Sequence, residues 1–156
     1  KGEFSLELKA PATAAPGDAI DVVITIKNIQ QELLSLEFFL DFDETKVAGV
    51  ITEFGKAMDA FMTVTPMYTM AVAGMELPVS RYEQICTFNQ KDGIYECRFM
   101  DLLQYPGAKP GEKYKGLIND GDLVITIPFK VLDGVKHADV LEFKVLDGSA
   151  KATTKV

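Results

Sequence analysis

The segment Leu34-Ser35-Leu36-Glu37-Phe38-Phe39-Leu40-Asp41-Phe42-Asp43 decides the fold. Leu36, Phe38, Leu40 and Phe42 recur at a period of two, so an extended chain carries all four on one face. The opposite face holds Ser35, Glu37, Phe39 and Asp41. One dry face and one wet face describe a half-buried β-strand. Phe39 is the exception, a large apolar residue on the polar side.

The same period runs outward in both directions. Upstream, Ile20, Val22, Ile24 and Ile26 mark a strand over Ile20–Lys27, and Phe4, Leu6 and Leu8 alternate with Ser5, Glu7 and Lys9. Pro11 and the cluster Ala15-Pro16-Gly17-Asp18 turn the chain between them. Downstream, Val47–Phe54 reads as a fourth strand. Tyr82–Asn89 and Ile94–Leu102 read as a hairpin whose link, Gln90-Lys91-Asp92-Gly93, supplies the left-handed residue a tight turn needs. In Leu123–Leu132, Leu123, Ile125, Ile127 and Phe129 alternate with Val124, Thr126, Pro128 and Lys130. Pro128 has no N–H for a ladder, which predicts an edge or a bulge there. Val140–Leu146 and Ala150–Val156 close the chain as two short strands around Asp147-Gly148. About nine short strands joined by turns predict an all-β antiparallel β-sandwich.

Two stretches stand outside this pattern. Lys56–Pro78 holds five of the six methionines and is predicted to be a long, partly buried excursion with a short helix near Met58–Met62. The competing reading is an adaptable Met-rich contact surface. Leu103–Asn119, with Pro106, Gly107, Pro110, Gly111 and Gly116, reads as a long polar connection.

The 156 residues suit a single domain, and 47% hydrophobic with 25% charged residues excludes a disordered chain. Sixteen basic residues against twenty-three acidic ones give a net charge of −7. Such a surface repels phosphate backbones, so no nucleic acid is expected as a partner. It also predicts complementary basic groups on whatever does bind. No apolar run reaches the roughly 18 residues of a membrane helix, so no membrane insertion is expected. The opening Lys1-Gly-Glu-Phe4 reads as a piece of a longer precursor, and the absence of a targeting segment therefore decides nothing about compartment.

Catalytic chemistry finds little to work with. A Ser–His–Asp or Cys–His arrangement would have to use His137, the only histidine, in the polar turn Gly134–Asp139. Asp41, Asp43 and Glu44 cluster at a strand end, and Asp120 and Asp122 flank Gly121. Neither cluster has the spacing of an EF-hand loop, and Asp43-Glu44-Thr45-Lys46 also works as a turn whose aspartate binds nearby amides. No metal site, cofactor or catalytic residue is therefore assigned. Counting back from Asn89 opposite Ile94 places Cys86 opposite Cys97. Two readings are open: a cross-strand disulfide in an exported protein, or two reduced thiols on the core face beside Phe88 and Phe99, which we prefer. Carbohydrate-binding β-sandwiches stack sugars on flat aromatic rings. With no tryptophan, that reading would fall to Tyr68, Tyr82, Tyr95, Tyr105 and Tyr114.

Three segments in order resemble cohesin modules, the dockerin-binding units of cellulosome scaffoldins. They are the Pro16-Gly17-Asp18 turn before the second strand, the passage Leu36–Val47, and Gly121-Asp122-Leu123-Val124-Ile125-Thr126-Ile127-Pro128-Phe129-Lys130-Val131. Ile94–Asp101 fits the family's sixth strand, which ends in an acidic residue. The resemblance implies jelly-roll topology and a non-catalytic module that binds a calcium-loaded dockerin. It also implies a secreted or cell-surface scaffold that assembles polysaccharide-degrading enzymes. A carbohydrate-binding module is the alternative, and a generic adhesin or surface-layer domain the third possibility. In cohesins the face built from the third, fifth, sixth and eighth strands meets the dockerin. Carried over, that face comprises Ser35, Glu37, Phe39 and Asp41, then Glu96, Arg98 and Met100 if Tyr95, Cys97 and Phe99 point inward, and Gln84 and Thr87 from the fifth strand. Glu37 and Phe39 are the main expected determinants.

Overall fold

A computed structural model describes residues 4–28, 33–50, 63–65, 67–80, 82–101 and 123–154. In chain order the described strands are β1 (Ser5–Lys9), β2 (Ala19–Lys27), β3 (Leu33–Phe42), β4 (Val47–Gly49), β5 (Thr63–Thr65), β6 (Met67–Val72), β7 (Met75–Ser80), β8 (Tyr82–Gln84), β9 (Thr87–Asn89), β10 (Ile94–Asp101), β11 (Val124–Val131), β12 (Phe143–Val145) and β13 (Lys151–Thr154). One sheet runs β1-β2-β11-β4, with β5 also on β11. The second runs β12-β3-β10-β8, with β13 also on β3 and β9 on β10. Every pairing among the described residues is antiparallel. The architecture is the predicted β-sandwich with jelly-roll topology.

The described residues alone hold thirteen strands where about nine were expected. The predicted strand over Tyr82–Asn89 is broken into β8 and β9, and the methionine-rich excursion contributes β5, β6 and β7. β4 covers Val47–Gly49 of the expected Val47–Phe54, whose residues 51–54 lie outside the described residues. The helix expected near Met58–Met62 and the connection Leu103–Asn119 lie outside the described residues. β6 and β7 form a separate ribbon whose turn, Ala73-Gly74, has both residues at positive φ (51° and 79°). Met75 beside that turn is 62% exposed.

The alternation read from sequence is the packing. Val22, Ile24 and Ile26 of β2 and Ile125, Ile127, Phe129 and Val131 of β11 are buried against Leu36, Phe38, Leu40 and Phe42 of β3 and Tyr95, Cys97 and Phe99 of β10. Phe42 of β3 bridges the sheets, 5.1 Å from Phe129 of β11, and within its own sheet stacks on Phe88 of β9 at 5.6 Å and 2°. Burying each such side chain stabilises the fold by roughly 1.5–3 kcal/mol.

Local chemistry sets the turns. Ala15-Pro16-Gly17-Asp18 is a type II turn, with proline at its second position, Gly17 at φ 84° and Asp18 N–H donating to Ala15 O at 3.1 Å. The Asp18 carboxylate accepts from Ala15 N–H, and Gly17 N–H donates to Val131 O, so the turn is tied to β11.

Pro128 corrects the sequence reading, because β11 is an interior strand. Val131 and Leu123 bond toward the β2 side, whereas Pro128 O accepts from Val50 N–H on the other side. The proline nitrogen faces that side too, at the seam between Thr126, the last residue paired with β5, and Phe129, the first paired with β4. Among the described residues the neighbouring strand is interrupted there, which accommodates proline as a free edge would.

Candidate partner-binding face

The outer surface of the second sheet is a grid whose rows follow from register. Arg98 on β10 stands opposite Glu37 on β3, and Glu37 stands opposite Lys151 on β13. In the next row Thr87 of β9 faces Glu96, and Glu96 faces Phe39. Ile94 and Lys144 flank Asp41, while Met100 and Thr153 flank Ser35. Seven of the expected residues on β3 and β10 (Ser35, Glu37, Phe39, Asp41, Glu96, Arg98 and Met100) thus share one face and are half-buried, and Thr87 joins them.

Arg98 organises the centre. Its Nε lies 3.3 Å from Glu37 Oε2 and its Nη2 3.6 Å from Glu96 Oε1. Its guanidinium carbon sits 5.5 Å from the centroid of the Phe39 ring. All three charged side chains remain about one-third exposed, so water screens the pairs and each contributes little to stability. Their consequence is geometric: four side chains on two strands are held as one patch, with the aromatic ring under a cation.

Phe39 also occupies a gap in the sheet edge. β12 pairs with Leu40–Phe42 and β13 with Leu33–Glu37, leaving Phe38 and Phe39 between them. The Phe39 backbone is completed by the β12–β13 turn: Phe39 N–H donates to Ser149 Oγ at 3.1 Å, and Leu146 N–H donates to Phe39 O at 2.9 Å. Ser149 Oγ–H in turn donates to Leu146 O at 2.7 Å.

Gln84 is the departure from expectation. It is exposed, but it pairs with Phe99, so by register it has the parity opposite to Thr87, and an odd separation keeps the two from sharing one face. Ile85 takes its place: its N–H donates to Arg98 O at 2.9 Å, and its side chain is 52% exposed. Counting by twos from Thr87 was the signal that identifies Ile85. Lys144, Lys151 and Ser149 were also missed, because their positions depend on strands whose register no local turn sets. The face carries Glu37, Asp41 and Glu96 against Arg98, Lys144 and Lys151. Among these described side chains the two signs balance, so this part of the face is a mosaic of both signs.

The other candidates have structural occupations. His137 is exposed in a turn closed by Asp139 N–H to Lys136 O and by Lys136 N–H to the Asp139 carboxylate. Asp43 accepts from the Thr45 hydroxyl and Thr45 N–H and lies 3.7 Å from Lys46 Nζ. The Thr45 hydroxyl foremost, then its amide and Lys46, hold the Asp43 carboxyl below its ordinary range against a smaller opposing effect of burial. Among the described residues no three His, Cys, Asp or Glu side chains converge on a metal position. Tyr95 is fully buried and can offer no sugar platform. Among the described residues no helix is long and apolar enough to cross a membrane.

No family model matches the chain, and no curated protein matches it. Solved structures do. The solution structure of CaCohA2 from Clostridium acetobutylicum superposes with a TM-score of 0.57 at 15% identity, covering 99% of this chain and 82% of that one. The CaDoc0917–CaCohA2 complex gives 0.56 at 13% identity over 96% and 87%. The type II cohesin dyad from the adaptor ScaA scaffoldin of Acetivibrio cellulolyticus gives 0.55 at 17% identity over 91% and 37%. The fold of this chain is that of cohesin modules.

Proposed function

We propose that this chain is a cohesin module, a non-catalytic protein-interaction domain that captures a calcium-loaded dockerin on a partner protein. The observation that carries the reading is the cohesin fold over nearly the whole chain, at identities too low for surface similarity to produce it. The outer face of β3, β10 and β9 supplies what such a task requires. It is a preformed sheet with a half-buried aromatic at its centre, ringed by Glu37, Glu96, Arg98 and Thr87. Aromatic anchors within a polar rim supply most of the energy in protein interfaces. A rigid sheet loses little conformational entropy on docking. Ser35, Asp41, Met100 and Ile85 extend the contact area at its margins. The reading places the module in a secreted or cell-surface scaffold that gathers polysaccharide-degrading enzymes, with no nucleic acid among its partners.

A pull-down against a dockerin panel, with and without chelator, tests it beside a polysaccharide-retardation gel and a glycosidase assay. Chelator-sensitive capture of a dockerin is expected. Retardation by polysaccharide with no dockerin captured would favour a carbohydrate-binding module, and turnover of a glycoside would overturn the non-catalytic assignment.

A further inference from the structure

We propose that Cys86 and Cys97 are a dithiol placed to close into an intramolecular cross-strand disulfide by exchange with a low-molecular-weight disulfide. The register is the first support. Gln84 opposite Phe99 and Thr87 opposite Glu96 belong to one continuous count, which sets Cys86 directly opposite Cys97. Ile85 N–H donates to Arg98 O, so Ile85 and Arg98 occupy a hydrogen-bonding site and the cysteines occupy the next, non-hydrogen-bonded one. Opposed Cα atoms at such sites lie about 4.5 Å apart, inside the roughly 4.4–6.8 Å that a disulfide spans.

Side-chain placement is the second support. Both cysteines are reduced and both turn toward the core, where Cys97 Sγ lies 3.7 Å from Tyr95 O. Cys86 Sγ also lies 3.7 Å from Arg98 O. Cys97 is fully buried, while Cys86 is half-buried and so can be reached from solvent. Burial first, and the Cys86 side chain second, push the Cys97 thiol well above its ordinary range. The two sulfurs therefore have different parts in the exchange, with Cys86 as the entry point. The backbone adds the third support: residues 85 and 86 interrupt the strand between β8 and β9 at the end of the sheet, so among the described residues closing the bond disturbs no second ladder.

The reaction balances with one disulfide consumed. The Cys86 thiolate attacks one sulfur of the reagent, breaking its S–S bond, forming a mixed disulfide and releasing one thiolate that takes up the Cys86 proton. Cys97, deprotonated within this site, then attacks Cys86 Sγ and expels the second reagent thiolate, which takes up the Cys97 proton. The two protein thiols supply two electrons, and one disulfide becomes two thiols. Because Ile85 and Thr87 flank Cys86 on the outer face, closure pins the margin of the candidate binding face.

The test uses the whole chain with oxidised glutathione as the probe, acid quenching, alkylation, and intact-mass and peptide mapping. The wild type is expected to lose both alkylation sites and two hydrogens, to yield a cross-linked Cys86–Cys97 peptide, and to revert with dithiothreitol. Its unfolding midpoint should rise by about 5 °C. Cys97→Ala should stop at a glutathione adduct on Cys86, and Cys86→Ala should acquire none in the same time. Retention of both alkylatable thiols in oxidised glutathione, accumulation of the wild-type adduct without closure, or a covalent dimer would each overturn the proposal. None of these readouts involves a dockerin, so the result stands apart from the partner-binding reading.

Discussion

Arg98 and Phe39 form a diagonal pair across β10 and β3, with the guanidinium carbon 5.5 Å from the ring centroid. The cation is held from both sides, by Glu37 on the facing strand and Glu96 on its own. An aromatic ring on the outer side of a strand is thereby kept in place without entering the core.

That arrangement separates binding from folding at Phe39. The four inward residues of β3 supply its packing, and the Phe39 backbone contacts with Ser149 and Leu146 involve no side-chain atoms of its own. Phe39→Ala is expected to leave the circular dichroism spectrum unchanged and to weaken dockerin affinity by at least about 1 kcal/mol, roughly fivefold. Calorimetric titration measures it, and an unaltered Kd would remove the central contact from the proposed function.

Arg98 should behave the same way with a different signature. Its ion pairs are solvent-screened, so Arg98→Ala should shift stability by less than about 1 kcal/mol in urea melts. Dockerin affinity should fall by more than that, because Glu37 and Glu96 are left facing each other beside Phe39. Arg98→Lys should not restore it, since an ammonium cannot lie flat on the ring while reaching two carboxylates. Full recovery with lysine would show that charge alone matters.

The residues that were legible are those whose partners are set locally. Period-two alternation placed Leu36–Phe42, Ile20–Ile26 and Leu123–Phe129 correctly, and Phe39 was recognisable as outward from parity alone. The Gln90–Gly93 turn fixed the count that paired Cys86 with Cys97. Long-range pairing was not legible: Thr63–Thr65 lies against Val124–Thr126, and nothing in either segment specifies the other. The Ala73-Gly74 turn was hidden because alanine at φ 51° lacks the Asn or Asp signature of such hairpins. Gln84 and Thr87 mix the two parities of one strand, and Ile85 is the residue that shares the parity of Thr87.

Acid should weaken the turn between β3 and β4 through Asp43. Its folded pKa lies below the ordinary 3.8, so the ionised carboxylate contributes stability at pH above that value. The contribution disappears as pH falls through the lowered folded value. Asp43→Asn keeps an acceptor for Thr45 but removes the charge. Its urea midpoint should therefore lie below that of the wild type at pH 7, and the two should converge below the ordinary carboxylate range. A gap that persists unchanged at low pH would assign the difference to shape rather than charge.

Gly49 of β4 lies directly against Phe88 of the other sheet. A Cβ added there would lie 2.5 Å from Phe88 Cζ, and Phe88 cannot retreat because it stacks on Phe42 and meets Tyr95 edge-on at 5.2 Å. Gly49→Ala should destabilise the domain by about 1–3 kcal/mol in thermal or urea unfolding. Combining it with Phe88→Leu should cost less than the two single changes together, because the smaller side chain relieves the overlap. Strict additivity would mean that the backbone, not the ring, absorbs the strain.

Gln90 completes β4 as a strand would. Lys46 O and Val50 N–H face β11, which leaves Val47 O and Gly49 N–H on the far side of β4. The Gln90 carboxamide meets both: Gly49 N–H donates to its Oε1 at 3.0 Å, and its Nε2 donates to Val47 O at 2.9 Å. A side chain from the β9–β10 turn thus ties the second sheet to the edge of the first. Gln90→Ala leaves two half-buried backbone groups unmatched and should cost about 1–3 kcal/mol of stability. Gln90→Glu is the sharper test. Ionised glutamate can still accept from Gly49 but has no proton for Val47 O, so it should be destabilised nearly as much at pH 7 and should recover as the carboxyl is protonated. Dockerin affinity should be unchanged in both variants once they are folded, because Gln90 faces β4 and not the outer side of β10. A Gln90→Glu protein as stable as the wild type at pH 7 would show that the donor contact to Val47 contributes nothing.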